Sequence, residues 1–200
     1  MIKKFGFNRS SYRKDVNFND YYYFQDAFSS EELTRIEEMT KQLQFEDANT
    51  GADDTSKKSD YRKSRVKWCP QNKEWEWVYE KLHDLIVQSN DEMWKFDLQN
   101  LPEPIQYTEY YGTNEGGYEW HMDCGVSYQN LRKISVTVQL SDSNEYEGGE
   151  LEFNLGKIMR APRGKGTAVI FPSFYLHRVT PVTSGTRKSF VLWVGGEPYK

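Results

Sequence analysis

Cysteine is nearly absent from this chain. Cys69 and Cys124 are the two in 200 residues, which excludes a disulfide-dense scaffold, and no spacing suggests that they pair. A reducing compartment follows. The sequence also lacks any apolar run of membrane-spanning length and any recognisable secretory signal, so a cytoplasmic, soluble protein without a membrane partner is expected. It lacks net positive charge: the formal charge of −4 gives no general basis for gripping phosphate backbones. The local basic run of Lys57, Lys58, Arg62, Lys63, Arg65 and Lys67 reads either as a solvated loop or as a surface for an acidic or nucleic-acid partner. Hydrophobic residues make up only 37% of the chain, yet aromatic residues reach 16%, so the core is expected to rely on Trp, Tyr and Phe. Histidine occurs three times, and any imidazole-based chemistry must use His83, His121 or His177.

The length suits one domain with a sizeable core. Tyr21 to Phe24 reads as a short strand after an irregular, aromatic start. Ser29 or Ser30 then offers an N-cap, with Glu31 and Glu32 in the first turn and Leu33, Ile36, Met39 or Thr40, and Leu43 at helical spacing. Glu46 to Asp60 has no apolar periodicity and reads as a mobile loop, and Tyr61 to Trp68 as an edge strand ended by Pro70. Together Glu46 to Lys67 is a candidate lid over a site. Trp77, Leu82, Leu85 and Ile86 form the stripe of a second helix over 73–90, which holds His83 with no partner ligand at i+4. Trp94 to Leu98 and Ile105 to Tyr111 are strand candidates.

Beyond Tyr107 the period changes to two. Ile134, Val136, Val138 and Leu140 alternate with Ser135, Thr137 and Gln139. Such a small-polar face meets solvent in an open sheet but lines a ligand cavity in a closed one. Gly148-Gly149 turns into Glu150 to Phe153, Gly164 to Gly166 turns into Thr167 to Phe171, and a last strand covers Ser189 to Val194. Many short strands without intervening helices argue for a jelly roll over βαβ units. Within this region, His121 and Asp123 flank Met122 and would face one side of an extended strand. A chance His-x-Asp is expected in roughly one such sequence in six, so the tripeptide alone decides little. His177 is the remaining distant imidazole, and Cys124 is an alternative neighbouring ligand. Two histidines and one carboxylate leave one face of a metal open, the arrangement of non-haem Fe(II) oxygenases.

The segments YEWHMD, RKISVTVQLSDSNEYEGGELEF and GTAVIFPSFYLHRVTPVTSGTRKSFVLWVGG lie between Tyr118 and Gly196, and the string from Tyr118 to Trp193 covers about two-fifths of the chain. That string resembles the Fe(II)- and 2-oxoglutarate-dependent dioxygenases, most closely their prolyl 4-hydroxylase branch. The resemblance implies a mainly β fold with N-terminal helices, in which a double-stranded β-helix (jelly roll) has its major sheet backed by helices. It implies one domain over residues 1–200, with 1–104 as a helical and lid support region and 105–200 as the jelly-roll catalytic core. His121, Asp123 and His177 would hold Fe(II), and Arg187 would bind the C5 carboxylate of 2-oxoglutarate, a pairing suited to the bidentate guanidinium. Tyr111, with Tyr110 one position off, Val179 and Gln139 would lie along the cosubstrate. Gln139 stands where some relatives carry a tyrosine. Arg132, Trp193 and Tyr118 would lie on the substrate side. The implied reaction consumes 2-oxoglutarate and O2, with ascorbate as a reductant, releases succinate and CO2, and hydroxylates a peptidyl proline of a protein or peptide partner. The alternatives are another substrate (a non-prolyl side chain, a small molecule or a nucleic acid) and a non-enzymatic jelly-roll binding module, which would have no use for the Arg187 anchor.

Overall fold

The computed structural model describes residues 20–47, 61–125 and 131–197. Two helices precede most of the strands. Ser29 starts the first: its Oγ accepts from the Glu32 N–H at 3.3 Å while its own N–H donates to the Glu32 carboxylate at 2.7 Å, a reciprocal capping box. Helix α1 (Ser30–Lys41) buries Leu33, Ile36 and Met39. Helix α2 (Glu76–Met93) buries Val78, Leu82 and Ile86. None of the described helices is long and apolar enough to cross a membrane.

The strands are β1 (Tyr22–Phe24), β2 (Glu46–Asp47), β3 (Arg65–Cys69), β4 (Leu98–Asn100), β5 (Ile105–Tyr111), β6 (Tyr118–His121), β7 (Arg132–Gln139), β8 (Tyr146–Gly148), β9 (Leu151–Asn154), β10 (Ile158–Arg160), β11 (Ala168–Pro172), β12 (His177–Val179) and β13 (Val182–Gly196). Among the described residues they form a nine-stranded sheet, ordered β1-β11-β7-β13-β5-β3-β2 with β4 and β8 also on β13, and a four-stranded sheet ordered β10-β9-β12-β6. The architecture is mainly β: two sheets form a sandwich, with two helices.

Strand parity assigns the two faces of the larger sheet. Ile134, Val136 and Val138 of β7, Phe190, Leu192 and Val194 of β13, Ala168 and Ile170 of β11, and Ile105 and Tyr107 of β5 share one apolar cluster with the buried faces of α1 and α2. The opposite parity gives Tyr110, Val169 and Phe171, which pack with Leu151 and Phe153 of β9 and Val179 of β12 between the sheets. All eight residues of β7 are buried, so the small-polar face of Ser135, Thr137 and Gln139 looks into the sandwich and not into solvent. Buried polar faces of this kind belong to an enclosed polar cavity. The turn after β8 requires glycine: Gly148 has φ +72°, and a Cβ there would lie 2.1 Å from the Pro181 carbonyl oxygen.

Several boundaries differ from the sequence-based expectation. Trp94 to Leu98 is not a strand, because α2 runs on to Met93 and Trp94 caps it; β4 begins only at Leu98. The segment from Tyr61 is not one edge strand. Its first half pairs with the small sheet, through the Arg62–Tyr118 bridge and reciprocal bonds between Lys63 and Gly117, while its second half becomes β3, flanked by β2 and β5. Glu46–Asp47 forms β2 against Val66 and Arg65, and residues 48–60 of the expected loop and lid lie outside the described residues. The last strand runs from Val182 to Gly196, well beyond Ser189 to Val194, because its start pairs with β8 and its end with β4.

Phe190 is fully buried, with its ring edge on Trp75 and on Tyr107. Phe190→Ala is expected to cost about 3–5 kcal/mol in urea unfolding; a loss below about 1 kcal/mol would contradict a core shared by helices and sheet.

Candidate metal centre

β6 and β12 are antiparallel neighbours in which His121 pairs directly with His177, and their rings lie 4.2 Å apart between centroids. Asp123 falls just beyond β6. Its backbone N–H donates to the Ser173 carbonyl at 2.9 Å, which returns the carboxylate to the same side as His121. Side-chain bonds then fix each ligand. His121 Nδ1 lies 2.7 Å from the Glu119 carbonyl oxygen and His177 Nδ1 lies 2.9 Å from that of Tyr175. A carbonyl only accepts, so in the neutral rings Nδ1 carries the proton and Nε2 the lone pair. The two Nε2 atoms face Asp123, at 3.7 Å from Oδ1 and 3.5 Å from Oδ2.

Burial, and next the neighbouring His177, push His121 down to about 4, so its ring is neutral near pH 7. Burial alone would raise Asp123, but His177, His121, the Ser135 hydroxyl and Arg132 outweigh it and hold the carboxyl below its usual value. The His121 lone pair therefore faces the Asp123 carboxylate, an arrangement that a cation relieves. The ligand atoms all lie within 4.8 Å of one another and could hold a metal ion. Two imidazole nitrogens and one carboxylate oxygen fit Fe(II), with positions left open.

The three ligands lie in an open cleft of about 460 Å³ between the sheets. Alternate residues of β13 (Arg187, Ser189, Val191 and Trp193) form much of one wall. Arg187 is only 3% exposed; it bonds Ser189 Oγ at 3.3 Å and lies over the Tyr110 ring at 5.5 Å. Among the described residues no carboxylate forms an ion pair with it. A buried charge without a counter-ion is costly by several kcal/mol, so this guanidinium fits a ligand carboxylate. Val179 lines the same cleft, and Tyr118 lines it while stacking on His121 at 3.5 Å between centroids.

Other expected contacts fall elsewhere. Tyr111 does not face the cleft: on β5 it has the parity of Ile105 and Tyr107, and its hydroxyl bonds Glu109. Tyr110, the cross-strand partner of Arg187, takes the place on the cleft wall. Gln139 does not line the cleft either; it borders a smaller cavity beside Arg187 and donates to the Tyr146 hydroxyl at 2.6 Å. Arg132 is tied to Glu103 through Nε and Nη2, donates from Nη1 to the Asp123 carbonyl at 3.1 Å and covers Trp193 at 4.0 Å. Cys124 is outside the group of three ligands, and burial raises its thiol above the ordinary value.

Sequence reasoning missed Ser135, Arg62 and Gln106. Ser135 Oγ donates to Asp123 Oδ2 at 2.6 Å and lies 3.0 Å from Ser173 Oγ, joining the segments that carry Asp123 and His177. Arg62 lines the cleft, lies over Tyr118 at 4.9 Å and donates to Gln106 at 2.7 Å. The alternation along β7 placed Ser135 on the cavity face but could not name its partner.

A family model described as the 2OG-Fe(II) oxygenase superfamily matches residues 105–195, the stretch that supplies all three ligands and Arg187. The chain is 43% identical over 81 residues to a PKHD-type hydroxylase of Synechococcus sp. (strain CC9902), covering 39% of this chain and 36% of the relative. It is 46% identical over 83 residues to a PKHD-type hydroxylase of Colwellia psychrerythraea, covering 40% and 37%. The chain thus spans little more than a third of the length of these curated relatives. In overall fold it is similar to a prolyl hydroxylase from Trichoplax adhaerens solved with a hypoxia inducible factor oxygen degradation domain peptide fragment (TM-score 0.72, 16% identity, 89% of this chain and 84% of that one). It is also similar to a Pseudomonas putida prolyl-4-hydroxylase (TM-score 0.67, 17% identity, 88% and 92%).

Ser135→Ala is expected to weaken divalent metal binding about tenfold, measured by Co(II) titration, with Ser135→Thr restoring it. Equal affinity in the alanine variant and the parent would mean that the hydroxyl does not orient Asp123.

Proposed function

We propose that this protein is an Fe(II)- and 2-oxoglutarate-dependent hydroxylase acting on a peptidyl proline. The observation that carries the reading is Arg187, a buried guanidinium without a carboxylate partner among the described residues, in the same cleft as His121, Asp123 and His177. A binding module built on a metal alone would have no use for that charge. In this reading residues 105–200 form the catalytic core, a double-stranded β-helix, and residues 1–104 form a helical support that backs its larger sheet.

His121, Asp123 and His177 would hold Fe(II), and Arg187 would receive the distal carboxylate of 2-oxoglutarate between Tyr110 and Val179. Together with O2, these groups supply an oxidative decarboxylation to succinate and CO2 coupled to hydroxylation of an unactivated C–H. The chain's own part is to orient and to exclude water. Ser135 and the two backbone carbonyls hold the ligands in one geometry, so little reorganisation is left for the reaction. Tyr118 and Trp193 form the substrate-side rim, and the buried Trp193 Nε1 has no hydrogen-bond partner among the described residues, which suits a peptide carbonyl. Arg132 acts through them, by stacking on Trp193 and holding the Asp123 backbone. The proline assignment is supported by the prolyl hydroxylases that share the fold. One observation favours a different substrate: Arg62 lines the cleft and, among the described residues, pairs with no carboxylate, which would suit an acidic side chain or a nucleic-acid phosphate.

The test is succinate formation from 2-oxoglutarate with Fe(II) and ascorbate, followed by mass spectrometry of a peptide panel for gain of one oxygen. Succinate above the metal-free control with an oxidised proline is the expected result. Succinate with oxidation only of other residues would keep the oxygenase and discard the proline, and no succinate under any condition would discard both.

Asp123→Ala and His177→Ala are expected to lose iron and all turnover, because two remaining ligands hold Fe(II) poorly. Arg187→Ala is expected to keep iron and raise the apparent Michaelis constant for 2-oxoglutarate about tenfold or more; a change within about twofold would remove Arg187 from the cosubstrate site.

A further inference from the structure

Beside Arg187 the cleft meets a second, smaller cavity, and Thr137, Leu151 and Arg187 border both. The far wall of this cavity is polar, with Gln139, Tyr146, Arg163 and Thr167. Tyr146 is only 4% exposed. Its oxygen accepts from Gln139 Nε2 at 2.6 Å and from Arg163 Nε at 3.4 Å. A phenol has two lone pairs and one proton. Both approaching groups are donors, so the oxygen's accepting capacity is used and its proton is left to donate. Among the described residues no acceptor for that proton is recorded, and a buried donor left unmet is costly.

Gly149 shows that the Tyr146 ring packs beside the Arg187 side chain. A Cβ on this residue, whose φ is +62°, would lie 2.9 Å from Arg187 Cδ and 3.2 Å from Tyr146 Cε2. The two side chains therefore pack on the same bare glycine, and both border the same cavity. Arg163, the other guanidinium there, is already paired with Glu150 at 2.7 Å and stacks on Tyr146 at 4.5 Å. It braces the phenol and does not compete for an anion as a free charge would.

We infer that the Tyr146 hydroxyl is a second donor, beside Arg187, to the distal carboxylate of a bound 2-oxo diacid, and that Gln139 is a positioning residue acting through Tyr146. The inference rests on the proposed 2-oxoglutarate chemistry and deepens it. It also gives Gln139 a role different from direct contact: its amide occupies one lone pair of the phenol and leaves the proton to donate to a ligand.

The experiment is equilibrium binding to Fe(II)-loaded protein without O2, comparing 2-oxoglutarate with 2-oxobutyrate, which keeps the chelating 2-oxo acid but lacks the distal carboxylate. The parent should prefer 2-oxoglutarate. Tyr146→Phe should weaken 2-oxoglutarate about tenfold or more, as loss of one charge-assisted hydrogen bond does, while 2-oxobutyrate stays within about twofold. Gln139→Met, which leaves the phenol in place, should give a smaller loss with the same selectivity and serves as the second variant if Tyr146→Phe does not fold. Unchanged 2-oxoglutarate affinity in both variants would overturn the inference, since the phenol proton would then be used internally, on the Gln139 amide oxygen. So would an equal loss of both ligands, which marks a purely structural role. A parent that binds neither ligand would overturn the 2-oxoglutarate reading itself, and the inference with it.

Discussion

His121 and His177 face each other because β6 and β12 are antiparallel neighbours with these two residues in register, and the neighbouring contacts serve that register. β12 is held on its other side by β9, where His177 pairs with Phe153. The outer face is held by charge: Glu152, nearly fully buried, is bonded by Arg160 and Arg178, and Arg178 in turn covers Trp120 of β6. A slip of one residue in β6 or β12 would turn an imidazole to the far side of the sheet. The bonds from Nδ1 to backbone carbonyls then set ring rotation.

The larger sheet supplies the opposite wall, and β13 does most of this. In one strand it pairs with β5, β7, β8 and β4, sends Phe190, Leu192 and Val194 to the helix side, and presents Arg187, Ser189, Val191 and Trp193 to the cleft. Core stability and ligand recognition are therefore coupled along a single segment. The helices have no direct place at the ligands; they cover an apolar face that would otherwise meet water, which leaves the polar face free to be buried in the sandwich.

The electrostatics of the cleft follow from this burial. Asp123 is surrounded by groups that favour its charged form, and Arg187 sits deep without a carboxylate among the described residues. Such a distribution is poor for an empty protein and good for one that admits a cation and a dianion. The segment from Tyr61 links the two halves of the cleft, since it bonds to β6 through Tyr61 and Arg62, to Gly117 just before β6 through Lys63, and then enters the large sheet as β3.

Much of this was legible in the sequence because it depends on local order. The Ser29 cap, the apolar stripes of α1 and α2, and the strict alternation along β7 are patterns within a few residues, and each follows from the period of a helix or a strand. The His-x-Asp spacing likewise brings two ligands to one side by local geometry. The third ligand and Arg187 were reached through family-like segments, not through any local rule. What the tertiary structure alone decided is which distant residues meet. Counting back ten positions from His121 favoured Tyr111, but the pairing of Arg187 with Tyr110 sends Tyr111 to the other face. The sequence marked Gln139 as a polar cavity residue, whereas the β8–β13 pairing delivers Tyr146 to it. Ser135 meets Asp123 and Ser173 only because three separate strands or turns converge. Residue period is a property of the chain, whereas register and sheet order are set by pairings between segments far apart in sequence, whose energies no single segment contains.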